Sequence, residues 1–304
     1  MLYHLLKLWV RFTLYLYCKD IRFHNRQYLL ADGPFLIAAH HPNSFFDAIL
    51  VGTFSRKPVH FLTRSDVFVN PIVRFLLRRL KMIPVYRIRD GKDKLGLNAH
   101  SFRKSTDTLA RGGHILIFAE GFCEHQTTLQ PLKKGAARIL LQSWEEGLTV
   151  RMLPLWLRYS RFQSIGQSIS ILAGTPFDEK EVDLQNANGN PLQAINKELA
   201  LRLKQLEEMQ EHPRQQPRRW LLALPALLGG LLHAPLYYAV QPLVRYFFQK
   251  TIHYDSVLFA LLALLYPLWA VVLAGLVWTA TASVWSLGIL LAAPLTARAF
   301  ILWK

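Results

Sequence analysis

Phe35-Leu36-Ile37-Ala38-Ala39-His40-His41-Pro42-Asn43-Ser44-Phe45-Phe46-Asp47 decides how the rest of the chain reads. Five apolar residues in a row, too few for a helix, predict a buried strand. Pro42, Asn43 and Ser44 then end the strand and open a helix. The histidines and the aspartate therefore stand where an α/β fold presents its reactive groups, beyond the carboxyl end of a strand. A neutral imidazole there can take a proton from an alcohol. A carboxylate on its other nitrogen fixes the tautomer and stabilises the imidazolium that forms. His41 with Asp47 is the candidate pair and His40 the competing base, with the acceptor's own hydroxyl in place of a serine nucleophile. The same residues also suit a plainer role, His41 capping the helix beside Ser44.

Outward from this run, short apolar segments alternate with longer amphipathic ones. Strands are expected at 35–39, 59–63, 83–87, 114–118, 152–157 and 168–172, and helices at 46–53, 71–80, 95–110, 134–144 and 192–210. The pattern predicts an α/β fold, a sheet flanked by helices on both faces, over residues 21–212. A polar, basic, proline-containing stretch from 211 to 219 marks its end. Residues 213–250 continue as a basic linker and an apolar segment that Pro225, Gly229, Gly230, Pro235 and Pro242 interrupt. Pieces shorter than a spanning helix are expected there, a re-entrant or interfacial element. No charge occurs from 256 to 297, and about 20 apolar residues cross the hydrocarbon core, so residues 251–304 predict a transmembrane helical hairpin. Residues 279–283 would form its turn. At the other end, Leu5, Trp9, Phe12 and Leu16 recur at helical spacing with Lys7 and Arg11 elsewhere on the wheel. Residues 1–20 therefore predict a helix lying in the membrane interface.

The chain is 52% hydrophobic and 18% charged, yet its formal net charge is +16. Nucleic acid and anionic lipid both attract such a balance, and the long uncharged run selects lipid; no nucleic-acid partner is expected. With the hairpin crossing, Arg218, Arg219, Arg245, Lys250, Arg298 and Lys304 all face one side, which the positive-inside tendency names cytoplasmic. A multi-pass membrane protein with its α/β domain on the cytoplasmic face follows. Cys18 and Cys123 are too few and too distant for a disulfide framework or a four-ligand zinc site, and no metal is expected. A Gly-x-Ser-x-Gly elbow is missing.

Three further stretches follow the histidine run: Ile83-Pro84-Val85-Tyr86-Arg87 with Arg89 behind it, Ile115-Leu116-Ile117-Phe118-Ala119-Glu120-Gly121, and Met152-Leu153-Pro154-Leu155-Trp156-Leu157. In this order the four resemble the signatures of the glycerophospholipid acyltransferase family. Three departures stand out. Five residues, not the family's four, separate His41 from Asp47; Ala119 replaces a proline; and Phe122 and Cys123 occupy the place where an arginine commonly follows the glycine. The resemblance implies transfer of a fatty acyl group from an acyl thioester, on coenzyme A or acyl carrier protein, to a hydroxyl of glycerol 3-phosphate or a lysophospholipid. It implies no cofactor beyond that co-substrate, and membrane lipids as partners. It makes His41 and Asp47 catalytic, Arg87 a holder of the acceptor phosphate, and Glu120 with Gly121 organisers of the acceptor site. Lys133, Lys134 and Arg138, at a helix start whose amides favour anions, are the alternative holders of that phosphate. The competing reading is a membrane-anchored scaffold that keeps the fold without its chemistry.

Overall fold

The computed structural model of the chain describes residues 2–87, 91–184, 190–210 and 219–304. Arg89, Arg218 and most of the expected linker lie outside them. Helix α1 (Leu2–Tyr17) leads into strand β1 (Asp20–His24) and the short α2 (Arg26–Leu30). Strands and helices then alternate through β2 (Phe35–Ala39), α3 (Ser44–Phe54), β3 (Val59–Arg64), α4 (Pro71–Arg79), β4 (Met82–Val85), α5 (Asn98–Ala110), β5 (His114–Phe118) and α6 (Gly135–Glu145). The domain closes with β6 (Arg151–Tyr159), β7 (Ser168–Ala173) and α7 (Pro191–Glu208). Three apolar helices follow, α8 (Ala223–Phe248), α9 (Tyr254–Thr281) and α10 (Ile289–Trp303).

The strands form one sheet in the order β1-β7-β6-β2-β5-β3-β4. Strands β6, β2, β5, β3 and β4 run parallel, whereas β7 is antiparallel to β6 and carries β1 parallel to itself. All five residues of β2 are buried, which is why its sequence is an unbroken apolar run. One face of the sheet packs Leu14, Phe46, Leu50 and Phe259 from α1, α3 and α9. The other packs Leu109, Ile139, Leu140, Leu199 and Leu203 from α5, α6 and α7. Helices thus cover both faces, as the sequence predicts.

The segment after 219 departs from expectation, because α8 is one continuous helix and not a set of short pieces. Pro225 sits in the first turn, where the lost N–H has no intrahelical partner anyway. Near Pro235, Trp269 Nε1 of α9 donates to Leu232 O at 3.1 Å. Neighbouring helices commonly rescue proline-containing apolar helices in this way. Residues Trp220–Phe248, Tyr254–Thr281 and Val284–Trp303 are each long and apolar enough to cross a membrane, and the chain is membrane-associated.

Between α9 and α10 the chain turns at Ala282, with φ of 46°. Both ends of this hairpin touch the α/β domain. The Arg298 guanidinium donates to the carbonyls of Tyr15, Cys18 and Lys19, closing the end of α1, and Lys304 Nζ donates to Ile165 O. Helix α1 buries Thr13, Leu14 and Tyr17 and leaves Leu5, Leu8, Phe12 and Tyr15 exposed. Helices α8 and α10 cross at Gly229, where an added Cβ would lie 2.0 Å from Thr296 O. Gly229→Ala must therefore push two backbones apart, at a cost of about 1–3 kcal/mol for overpacking. A lower thermal midpoint in detergent is the expected result, with Gly275→Ala, whose Cβ meets nothing within 4 Å, leaving the midpoint unchanged.

Candidate active site

The loop from His40 to Asp47 leaves the carboxyl end of β2 and folds around a single carboxylate. Asp47 is fully buried. Its Oδ2 lies 2.8 Å from His41 Nδ1 and accepts from Asn43 N at 2.7 Å, while Tyr159 OH, from the end of β6, donates to Oδ1. Both oxygens are engaged, so the carboxylate is fixed against rotation and acts on His41 from one direction. The His41 ring stacks on Phe118, centroids 3.6 Å apart, and 16% of its side chain is exposed. With Nδ1 on Asp47, Nε2 is the nitrogen left for proton transfer.

His40 has a different place. It is 1% exposed and stacks on Trp156, with Nδ1 2.9 Å from Glu120 Oε1 and Nε2 3.2 Å from Gln126 O. Both its nitrogens serve the interior. Glu120, itself 2% exposed, also accepts from His41 N at 3.1 Å and Gln130 N at 3.0 Å. What it organises is the backbone under the two histidines. Gly121 follows in the left-handed region (φ +73°), and a Cβ there would meet Lys133 Cγ at 2.8 Å, so the turn requires glycine.

Arg87 follows β4 and lies 3.1 Å from Asp66 Oδ2, and Arg64, at the end of the neighbouring β3, pairs with the same carboxylate. Asn98 clips the segment by exchanging hydrogen bonds with the backbone of Tyr86. Two guanidiniums thus gather on the β3–β4 side of the histidine loop. Lys133, Lys134 and Arg138 are exposed at the start of α6. Lys133 N donates to Ala119 O at 2.8 Å, just before the turn at Gly121.

The largest surprise comes from the membrane part of the chain. Ser44 has φ of +52°, costly for a residue with a Cβ, and such backbone persists only when its surroundings hold it. Its N–H donates to Cys123 Sγ at 2.9 Å and its Oγ bonds His253 Nδ1. Two residues on, at the first turn of α9, buried Asp255 accepts from Asn43 Nδ2 at 3.0 Å and from Gln163 N at 2.8 Å. Ser256 Oγ accepts from Phe46 N at 3.0 Å and donates to Asn43 O at 3.3 Å. Burial, with the charges of Arg64 and His41 nearby, holds the His253 imidazole below its ordinary pKa and favours its neutral form. Sequence reasoning missed His253, Asp255, Ser256, Tyr159 and Arg64. An aspartate at the entry of an otherwise uncharged helix was the available signal.

Cys123 stands where the family's arginine would. Among the described residues, His41, Asp47 and Cys123 form the one grouping of three metal-ligating side chains, their ligand atoms within 4.8 Å of one another. Burial and the charge of Asp47 push the Cys123 thiol well up, and Asp47 Oδ2 already receives two donors. The arrangement suits a base and its carboxylate better than a cation.

No curated protein matches the chain by sequence. Among solved structures, the 1-acyl-sn-glycerophosphate (LPA) acyltransferase PlsC of Thermotoga maritima is similar over 64% of this chain and 73% of its own length, at 16% identity and a TM-score of 0.46. The sequence pattern of the family described as Acyltransferase matches residues 20–158, which hold β1 through β5, all of β6 but Tyr159, and every residue of the histidine loop. That match covers the stretch in which the four signatures resemble those of the glycerophospholipid acyltransferases.

Proposed function

We propose that this acyltransferase moves a fatty acyl group from an acyl thioester, carried by coenzyme A or acyl carrier protein, to a hydroxyl of glycerol 3-phosphate or a lysophospholipid at the cytoplasmic face of a membrane. The observation that carries the reading is the His41 Nδ1 to Asp47 Oδ2 contact of 2.8 Å, with Asp47 fully buried and the other imidazole nitrogen left for the substrate. Nε2 takes the proton of the acceptor hydroxyl as its oxygen attacks the thioester carbonyl. Collapse of the tetrahedral adduct breaks the carbon–sulfur bond, and the imidazolium returns its proton to the leaving thiolate. Ester and thiol are the products. Incubation of the purified chain with labelled acyl thioesters and a panel of acceptors, followed by separation of the lipids, tests this directly. Label that stays on the thioester with every acceptor sinks it.

An acceptor phosphate finds its cations at Arg64 and Arg87, on the side of the loop where the β3 and β4 ends converge. Arg87→Ala should raise the acceptor's KM at least tenfold and the thioester's by less than threefold, because charge-assisted hydrogen bonds contribute roughly 1.5 to 3 kcal/mol. Equal weakening toward both substrates would assign Arg87 a structural role through Asp66. Orientation has its own test. With Cys18 and Cys123 replaced, a membrane-impermeant thiol reagent on intact cells should label a cysteine at Thr281 and spare one at Lys304. Labelling at 304 alone means the opposite orientation.

A further inference from the structure

Helix α4 buries none of its residues. Ile72 is 71% exposed, Phe75 57% and Leu76 49%, and Val69 just before them is 76% exposed. The helix is nonetheless well started: the Asn70 side chain accepts from the N–H groups of Ile72 and Val73, and Pro71 occupies its first turn. Arg74 ties it to the preceding turn by donating to Phe68 O and Val69 O. Arg78 and Arg79 lie exposed in its last turn, the Arg79 guanidinium 5.0 Å from the Phe75 ring centroid. A helix this short gains little from its own hydrogen bonds, so a stable helical form in water would rest on packing that α4 largely lacks. Its apolar, basic surface matches what an anionic bilayer offers.

Position singles out the bilayer among possible partners. Arg64 ends β3 just before this segment, at the same carboxyl edge of the parallel strands from which the histidine loop leaves β2; Ser44 of that loop bonds His253, which immediately precedes the apolar helix α9. Tyr246 and Phe247, at the end of α8, are 84% and 61% exposed at that same chain reversal. The basic helix therefore follows the sheet edge at which the histidine loop meets the entry of a membrane helix. We propose that α4 is a membrane-docking helix, with Ile72, Phe75 and Leu76 in the acyl region and Arg78 and Arg79 on anionic headgroups, turning the mouth of the histidine site toward lipid. The proposal does not depend on which acyl acceptor is used.

The test uses the full chain in nanodiscs containing phosphatidylglycerol, with Cys18 and Cys123 replaced by serine. Nitroxide labels are placed on single cysteines at Ile72, at Leu76 and, as a reference, at Leu201, which is 54% exposed on α7. Collision with oxygen relative to a water-soluble nickel chelate should be about fivefold higher at 72 and 76 than at 201, as expected for side chains below the headgroups. Ratios at 72 and 76 equal to that at 201 overturn the proposal. So does a high ratio that needs added acyl carrier protein, or one that vanishes with a single chain per disc, since either would make the covering partner a protein. Arg78→Glu with Arg79→Glu should lower both ratios about twofold in anionic discs. Unchanged ratios in that variant would overturn the headgroup contact.

Discussion

His41→Ala is expected to lower turnover at least a hundredfold while the chain still folds and enters membranes. The size follows from what a positioned general base contributes, on the order of 100- to 10,000-fold. The selectivity follows from burial: His41 sits at the edge of the loop with 16% of its side chain exposed, whereas Asp47 beneath it is fully buried and bonded at both oxygens. Removing the imidazole costs Asp47 one partner and leaves Asn43 N and Tyr159 OH in place. Steady-state kinetics in detergent and a thermal midpoint on the same sample decide the matter. His40→Ala supplies the contrast, because loss of that buried ring opens a space beside Trp156 and strips Glu120 of a partner; a fall in stability is its first symptom. Near-normal turnover by His41→Ala, with a stable but inactive His40→Ala, would move the base to His40.

The second large effect is expected far from the signatures. Asp255→Ala removes the carboxylate that holds the Asn43 side chain and the Gln163 backbone, and Asn43 N is one of the donors that fix Asp47. Misplacement of a catalytic group by about 1 Å can cost on the order of a hundredfold. Turnover should fall tenfold or more with both KM values within threefold of normal. Asp255→Asn, which keeps an acceptor oxygen in the same place, should recover most of it. Amide exchange at Phe46, whose N–H is held by Ser256, should quicken in the alanine variant. Unchanged kcat with a raised acceptor KM would instead mean that Asp255 meets substrate.

The sheet was legible because its strands are buried and parallel, and burial on both faces leaves apolar runs such as 35–39 and 114–118 that no loop would carry. Strand β1, Asp20-Ile21-Arg22-Phe23-His24, escaped for the converse reason: an edge strand alternates polar and apolar residues over too short a span to stand out. Prolines misled at α8, since their local cost is visible in sequence while the packing of α8 against α9 and α10, with Trp269 donating to Leu232 O, is not. Within the site, His41 and Asp47 were legible because a strand end and one helical turn bring them together from nearby positions. His253, Asp255 and Ser256 meet the same loop from more than two hundred residues away, and separation on that scale leaves no periodicity to read. Glu120 was found by its signature, but its orientation beneath the histidines depends on the turn at Gly121, which only coordinates reveal.

Because the last supports of the histidine loop belong to the entry of α9, the order of synthesis bears on when the site is complete. When residues 20–158 have left the ribosome, the strands, His41 and Asp47 are all present, yet Ser44 and Asn43 still lack the partners that His253, Asp255 and Ser256 provide. Those residues arrive at the threshold of an apolar helix that water does not accommodate. On the proposed function, a nascent chain would complete its site as that helix reaches lipid, so that the bilayer would finish the catalyst.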